Sequence, residues 1–201
     1  VRLIAVSKTR SAEEVLALHH AGQSCFGENY LQEALEKIEA LREYPLEWHF
    51  IGAIQSRKAA QIAEHFSWVH SLDRLKVANR LNLAASPDRP LNVLIQVNLE
   101  GEESKGGVAP GEVLELATAV DALDNLRLRG LMFMPRAHTE FSEQRAVFRR
   151  AKALFDELQT SLPGIDQISM GMSGDLEAAI AEGATMVRVG TALFGERKAK
   201  E

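Results

Sequence analysis

A lysine at the end of a short apolar run is the first residue in this chain that could do chemistry. Lys8 follows Leu3-Ile4-Ala5-Val6 and Ser7. A lysine held against an apolar rim can have a lowered pKa and act as a nucleophilic amine. A single lysine at the end of a strand is equally consistent with an ordinary side chain exposed to solvent. The residue by itself leaves both interpretations open.

Two segments near the end of the chain have the residue types of a phosphate site. Ser173-Gly174-Asp175 is predicted to open a helix with Ser173 as its cap, and Gly190-Thr191 stands between an apolar strand and a short helical segment. Glycine lets a phosphate approach the backbone, and the amides of the following turn point at it. Capping and a tight turn would explain the same residues, so the position of the segments in the fold has to decide.

An arginine and a histidine lie inside apolar strands. Arg188 is part of Met186-Val187-Arg188-Val189, at a position that alternation turns inward. A buried arginine needs an anion or several acceptors. His49 fits a core histidine bonded to a neighbour, or one that positions a ligand. The other histidines lack metal-ligand spacing, so we predict no metal site.

The elements that position these residues alternate in type. Short β-branched or apolar runs are predicted to be strands at Arg2–Ser7, Ser24–Phe26, Glu47–Ile51, Trp68–Ser71, Leu91–Asn98, Leu126–Met132, Gln167–Ser169 and Thr185–Val189. Helical spacing of apolar residues occupies Ala12–His20, Tyr30–Leu41, Ala59–His65, Leu75–Ala85, Gly111–Leu123, Ser142–Leu162 and Asp175–Ala181, with a short last helix beginning near Thr191. This alternation predicts parallel pairing with right-handed crossovers.

Eight such units predict an α/β fold, a single (β/α)8 TIM barrel over residues 1–201. An open doubly wound sheet would alternate in the same way, but it rarely needs eight units, and no G-x-G-x-x-G follows the first strand. In a barrel, Lys8 lies at the mouth, and the loops after strands seven and eight form the recurrent phosphate site. A lysine amine, a phosphate cup and the inward Arg188 together predict a pyridoxal 5′-phosphate site.

Composition narrows the class of partner. The net charge is −5 without a basic block, which disfavours nucleic acid and anionic membranes. No apolar run approaches the roughly 18 residues of a membrane span. The chain has one cysteine, Cys25, and no signal-peptide pattern, so we expect a cytoplasmic protein.

At this point the sequence resembles the family of pyridoxal-phosphate homeostasis proteins, whose domain is similar to the N-terminal barrel of alanine racemase. The motifs that carry the resemblance run along essentially the whole chain: Ala5-Val6-Ser7-Lys8-Thr9, Phe26-Gly27-Glu28-Asn29-Tyr30-Leu31-Gln32-Glu33, Trp48-His49-Phe50-Ile51-Gly52, Gln55-Ser56-Arg57-Lys58, Gln96-Val97-Asn98, Ser104-Lys105-Gly106-Gly107, Gly130-Leu131-Met132, Ser169-Met170-Gly171-Met172-Ser173 and Val187-Arg188-Val189-Gly190-Thr191-Ala192-Leu193-Phe194-Gly195. So many spaced motifs in order make chance similarity negligible.

The resemblance also implies the cofactor site. The implied roles are the Schiff-base lysine for Lys8, the pocket wall for Asn29 and His49, the phosphate cup for Ser173, Gly190 and Thr191, and the partner of the pyridine nitrogen for Arg188. The family usually has Asn where Arg57 stands and Ser where Ala184 stands. Members carry a further helix before the first strand, and because the chain starts at Val1 without Met, we expect residues upstream of it.

Three functions remain open at this stage. The resemblance favours a monomeric carrier that binds pyridoxal phosphate reversibly, supplies apo-enzymes and has no catalytic residues of its own. The alternative is an amino-acid racemase, which needs a second acid–base group opposite Lys8. We expect no second domain to supply that group, and the tyrosines are Tyr30 and Tyr44 alone. A third reading is a partner-binding protein whose polar helix around Glu140–Gln159 is a docking face.

Overall fold

Strands and helices alternate along the chain in the computed structural model, which describes residues 1–102 and 105–196. Within these residues the strands are β1 (Arg2–Val6), β2 (Cys25–Glu28), β3 (Glu47–Phe50), β4 (Trp68–Leu72), β5 (Leu91–Val97), β6 (Leu126–Phe133), β7 (Gln167–Ser169) and β8 (Met186–Val189). The helices are α1 (Ala12–His20), α2 (Leu31–Ala40), α3 (Ala59–His65), α4 (Leu75–Ala84), α5 (Val113–Asp121), α6 (Phe141–Ser161), α7 (Leu176–Ala181) and α8 (Thr191–Phe194).

The eight described strands form a closed parallel barrel in the order of the chain. β1 closes it by pairing with β8, where Ala5 is opposite Val189. The predicted (β/α)8 barrel is therefore confirmed. Closure places the loop after β8 beside the loop after β1, so residues that are far apart in sequence meet at one mouth.

Two apolar layers hold the barrel together. The larger one lies between the strands and the helices, and each strand contributes its outward side chains to it. A small second apolar cluster lies inside the barrel: Ile4, Trp68, Leu94, Met132 and Met186. Burial on both faces explains why the strands are continuous apolar runs rather than alternating ones.

The second strand continues past the predicted end at Phe26, through Gly27 to Glu28. A glycine and a charged residue are poor strand signals. Glu28 is fully buried nevertheless, because Lys37 Nζ lies 2.5 Å from its Oε1 and Ser7 Oγ donates to the same oxygen at 2.6 Å. A pair that only the fold brings together overrides the local preference.

The longest helix, α6, buries one apolar face against the barrel, including Phe148 and Phe155. At its outer side Arg145 and Arg149 both contact Glu182, which follows α7. Part of the polar surface that the partner-binding alternative would use for docking thus contacts the residue that follows α7. No helix in the described part of the chain is long and apolar enough to cross a membrane.

Candidate functional site

A cavity of about 280 Å³ opens where the carboxyl ends of the strands meet. That volume lies just below the roughly 300–1,000 Å³ typical of small-molecule sites, which suits one small ring-sized ligand. Its lining comes from the carboxyl ends of six strands, β1, β2, β3, β6, β7 and β8: Val6, Lys8, Arg10, Asn29, Ile51, Met132, Met134, Met172, Ser173, Gly174, Arg188, Gly190 and Thr191. Six of the seven predicted site residues are in this set.

The charge of the cavity wall has one sign. Among the described lining residues, the ionisable side chains are Lys8, Arg10 and Arg188, and no carboxylate is present. Burial lowers the pKa of Arg188 to about 10, and the charge of Asp175 acts against that shift. Arg188 is therefore still protonated at neutral pH, and the cavity is electrostatically suited to an anion.

The loop that carries Lys8 has an unusual backbone. Thr9 is at φ 63°, in the left-handed region that β-branched residues avoid. Its N–H donates to Glu33 Oε2 at 3.0 Å, and Glu33 belongs to α2. Such a conformation costs on the order of 1–3 kcal/mol and persists only where the surroundings enforce it. The turn fixes the direction in which Lys8 leaves β1.

Lys37 and Glu28 support the same loop from below. Lys37 Nζ donates to the carbonyl oxygen of Ser7 at 2.7 Å as well as to Glu28. Burial raises the pKa of Glu28, and the charge of Lys37 opposes that rise. Because the pair is buried and hydrogen-bonded to the backbone, it anchors the residue directly before Lys8.

Asn29 is placed by a close approach of two loops. A Cβ on Gly52 would lie 2.0 Å from the Asn29 carbonyl oxygen, so only glycine fits after β3. Asn29 Oδ1 is buried without a hydrogen-bond partner among the described residues. A buried oxygen of this kind normally has a donor, and Asn29 lines the cavity, so a ligand group is the natural partner.

The loops after β7 and β8, which are predicted to hold a phosphate, differ from the prediction in one detail. Ser173 does not cap α7, which begins at Leu176 after Asp175. The Ser173 hydroxyl instead accepts the Ala192 amide N–H at 3.4 Å and so joins the loops after β7 and β8. A tertiary contact takes the hydroxyl away from local capping. It lies in the cavity wall all the same.

Gly190 and Thr191 lie beside Ser173 at the start of α8. A Cβ on Gly190 would meet the Val6 carbonyl oxygen at 3.4 Å, an ordinary contact. The protein itself therefore does not require glycine there. The amide of Thr191, at the first position of the helix, has no acceptor within its own helix.

His49 lies inside the barrel and is absent from the cavity lining. It is fully buried, and its ring stacks on Trp68 with centroids 5.6 Å apart. Its Nδ1 is 2.9 Å from His70 Nε2, and His70 Nδ1 is 3.0 Å from Ser169 Oγ. Of the predicted set, His49 alone reaches the cavity indirectly, through its neighbours.

The sequence analysis missed Arg10 and the methionines of the cavity wall. Arg10 Nη2 donates to the Gly195 carbonyl oxygen at 2.6 Å, so it ties the loop after β1 to the end of α8. A positive residue two places after Lys8 was the signal for it. Met132, Met134 and Met172 supply an apolar wall, for which the sequence offers no specific signal.

The two departures from the family pattern lie away from the cavity wall. Arg57 is exposed and contacts Gln55, whereas Ala184 is buried before β8. Ser104 of the predicted motif lies outside the described residues, and Lys105 Nζ donates to the Pro135 carbonyl oxygen at 2.9 Å.

Fold and cavity together define a class, the single (β/α)8 barrels of the alanine racemase N-terminal type. The family model described as alanine racemase, N-terminal domain, matches residues 1–198. A Clostridium difficile alanine racemase superposes with a TM-score of 0.82 over 100% of this chain and 53% of that one, at 15% identity, which shows the fold alone.

More similar proteins narrow the class. The pyridoxal phosphate homeostasis protein of Pseudomonas aeruginosa is 57% identical over 200 residues, which are 98% of this chain and 85% of the relative. The Escherichia coli protein of the same name is 50% identical, over 98% and 86%. PipY of Synechococcus elongatus, solved with PLP bound, has a TM-score of 0.91 at 39% identity, over 97% and 92%. The chain belongs to the family of pyridoxal phosphate homeostasis proteins.

Proposed function

We propose that this protein binds pyridoxal 5′-phosphate reversibly through Lys8 and buffers or delivers it inside the cell. The observation that carries the proposal is the cavity wall, which has two arginines and the amine of Lys8 but no carboxylate among its described residues. A phosphate with a charge of −1.5 to −2 fits such a wall. The names of the relatives and the PLP bound to PipY point to the same ligand.

The residues of the cavity fit the parts of this cofactor. Lys8 would supply the amine that condenses with the aldehyde, whose oxygen would leave as water. Ser173 and the backbone of Gly190 and Thr191 hold the phosphate, and Arg188 donates to the ring nitrogen. Arg10 stabilises the phosphate side electrostatically, and Asn29 Oδ1 accepts from a ligand donor.

The same wall argues against efficient racemisation. The cofactor, when bound, supplies an electron-withdrawing ring, and racemisation then needs a proton donor and a proton acceptor on opposite faces. Lys8 serves one face. Tyr30 is 53% exposed and Tyr44 is 36% exposed, and neither lines the cavity. Arginines do not act as bases at neutral pH. Because a guanidinium holds its proton more tightly than a pyridine nitrogen does, Arg188 leaves the ring nitrogen unprotonated, which makes the ring a weaker acceptor of electrons.

We also propose a monomer that works in the cytoplasm and transfers the cofactor to apo-enzymes that depend on it. The chain has one cysteine and thus no internal disulfide, in keeping with a reducing compartment. A cavity at the barrel mouth, lined by loops rather than covered by another element of the described chain, allows an acceptor to reach the ligand.

The test compares Lys8→Ala with Lys76→Ala, an exposed lysine on α4. Protein loaded with pyridoxal phosphate should show near-visible absorbance of the lysine-bound cofactor in the wild type and in Lys76→Ala, and none in Lys8→Ala. Borohydride reduction and peptide mapping should label Lys8. Label mainly on another lysine would refute the assignment.

The carrier role is tested with the same loaded protein. Mixing it with a purified apo-enzyme should restore that enzyme's activity, whereas Lys8→Ala, passed through the same desalting column, should restore none. Conversion of L-alanine to D-alanine at about 1 s⁻¹ or faster, the low end of ordinary enzymes, would instead establish a racemase.

A further inference from the structure

A continuous chain of buried polar side chains crosses the interior of the barrel. It starts at the cavity, where Arg188 Nη1 lies 2.7 Å from Ser169 Oγ. From Ser169 Oγ it continues over 3.0 Å to His70 Nδ1, and from His70 Nε2 over 2.9 Å to His49 Nδ1. His49 Nε2 lies 2.9 Å from Glu47 Oε1, at the amino end of β3. One line of contacts thus joins the two mouths of the barrel.

Burial of these polar side chains costs free energy unless each of them has a hydrogen-bond partner. Ser169, His70 and His49 are fully buried, and Arg188 is 5% exposed. An unsatisfied buried polar group costs on the order of 1–3 kcal/mol. Five apolar side chains lie beside them inside the barrel, so these polar groups depend on one another for hydrogen bonds.

The direction of each hydrogen bond follows from the two ends. Glu47 is ionised and can only accept, so His49 Nε2 carries a proton and donates to it. Burial lowers the pKa of both histidines, so both rings are neutral at pH 7. His49 Nδ1 must then accept from His70 Nε2, which leaves His70 Nδ1 as an acceptor.

The same logic completes the chain at the cavity. His70 Nδ1 accepts the proton of the Ser169 hydroxyl. The Ser169 oxygen then presents its lone pairs to Arg188, which can only donate. All four protons point from Arg188 toward Glu47, so a cation and a carboxylate at opposite mouths are joined through three neutral groups.

Two further contacts fix the Glu47 end. Arg2 Nη1 is 2.7 Å from Glu47 Oε1, and the Cys25 thiol donates to the same oxygen at 3.5 Å. Cys25, Glu47 and His49 have the atoms of a metal site within 4.8 Å of one another. The Arg2 guanidinium already neutralises the carboxylate, so the cluster is satisfied without an ion.

We propose that Glu47 and His70 are positioning residues. They fix the tautomers of the two histidines in this chain of side chains, and so hold Arg188 with its remaining N–H groups toward the ring nitrogen of the ligand. Arg188 Nη2 donates separately to the Phe133 carbonyl oxygen at 2.9 Å. That single contact would let the guanidinium rotate, and the hydrogen bond to Ser169 prevents the rotation. This inference rests on the proposed function and adds a second set of residues, remote from the ligand, to its recognition.

The experiment measures how strongly each variant prefers the ring nitrogen. Equilibrium dialysis gives the affinity for pyridoxal phosphate and for its 1-deaza analogue, in which C–H replaces the nitrogen. We expect the wild type to prefer pyridoxal phosphate about tenfold or more, the size of one charge-assisted hydrogen bond. Glu47→Met, which removes the terminal acceptor, should reduce that preference at least about threefold.

Three variants make the result specific. Glu47→Gln keeps an acceptor for His49 and should retain most of the preference. Glu39→Met, an exposed residue of α2, should leave it unchanged. His70→Phe, with its fold checked by circular dichroism, should lose the preference as Glu47→Met does.

The outcomes separate this inference from the proposed function. Tight binding of pyridoxal phosphate with an unchanged preference in folded Glu47→Met would overturn the positioning role of Glu47 and leave the proposed function intact. Equal affinity of the wild type for both ligands would also overturn it. Failure of the wild type to bind pyridoxal phosphate would refute the proposed function itself.

Discussion

Glu47 is a half-exposed carboxylate whose hydrogen bond from His49 lowers its pKa from an ordinary 4.5 to about 2, with the charge of Arg2 acting in the same direction. A carboxylate with a lowered pKa stabilises the folded state fully above about pH 4.5, and that contribution is lost as the pH falls toward 2. Since the side chain is 35% exposed, solvent screening reduces the contribution to about 1 kcal/mol.

We therefore predict that Glu47→Gln reduces the loss of folding stability that occurs when the pH is lowered. Urea unfolding at pH 7 and at pH 3 gives the free energy of unfolding for each protein. The wild type should lose more stability between these two values than the variant, by about 1 kcal/mol. Glu39→Gln, on the solvent side of α2, is the control and should behave as the wild type. A variant that loses as much as the wild type would contradict the assignment.

At the level of single residues, the sequence reveals those whose position in a strand is anomalous. Lys8 and Arg188 are such residues, because charge at the end or inside of an apolar run needs an explanation. Thr9 could not be foreseen, since its left-handed backbone is imposed by Glu33 from another element. The indirect role of His49 depends on His70 and Ser169, which only barrel closure brings next to it.

The loops at the strand ends are held by close backbone approaches. Gly52 follows β3, and a Cβ there would overlap the Asn29 carbonyl. We predict that Gly52→Ala lowers the free energy of unfolding by about 1–3 kcal/mol, the usual cost of overpacking, and weakens binding of pyridoxal phosphate. Gly111→Ala is the matched control, since a Cβ there meets nothing within 4 Å. Equal stability of the two variants in urea would show that the loops are not in close contact.

Among the elements, periodicity was enough for type and order but not for ends. The helices Ala12–His20 and Ala59–His65 begin and end as predicted. The helix predicted from Gly111 begins instead with a 3-10 turn at Pro110–Glu112, and α5 starts at Val113. Local spacing does not distinguish a tight turn from the first turn of an α-helix.

Over the whole molecule, the cavity joins the beginning of the chain to its end. Its polar wall comes from loops after β1, β2, β7 and β8, and β1 pairs with β8. A ligand that contacts all of these loops should stabilise barrel closure as well as the site. We predict that pyridoxal phosphate at 100 times its Kd raises the free energy of unfolding by about 2.7 kcal/mol.

Pyridoxal at the same concentration should raise the free energy of unfolding far less, because Ser173, Gly190 and Thr191 have no phosphate to hold. Inorganic phosphate alone serves as the control for a purely ionic effect. Thermal or urea unfolding measures each shift. An equal shift from pyridoxal and its phosphate would show that the loops after β7 and β8 contribute only turns and packing.

The position of Cys25 gives this barrel a built-in attachment point for a spectroscopic probe. The chain has one cysteine, and its thiol lies at the mouth opposite the cavity, in contact with Glu47. Burial raises the pKa of the thiol, so a maleimide or disulfide reagent should react slowly at neutral pH and faster in alkali. A fluorophore attached there would report on the remote end of the barrel while the cavity stays open to its ligand.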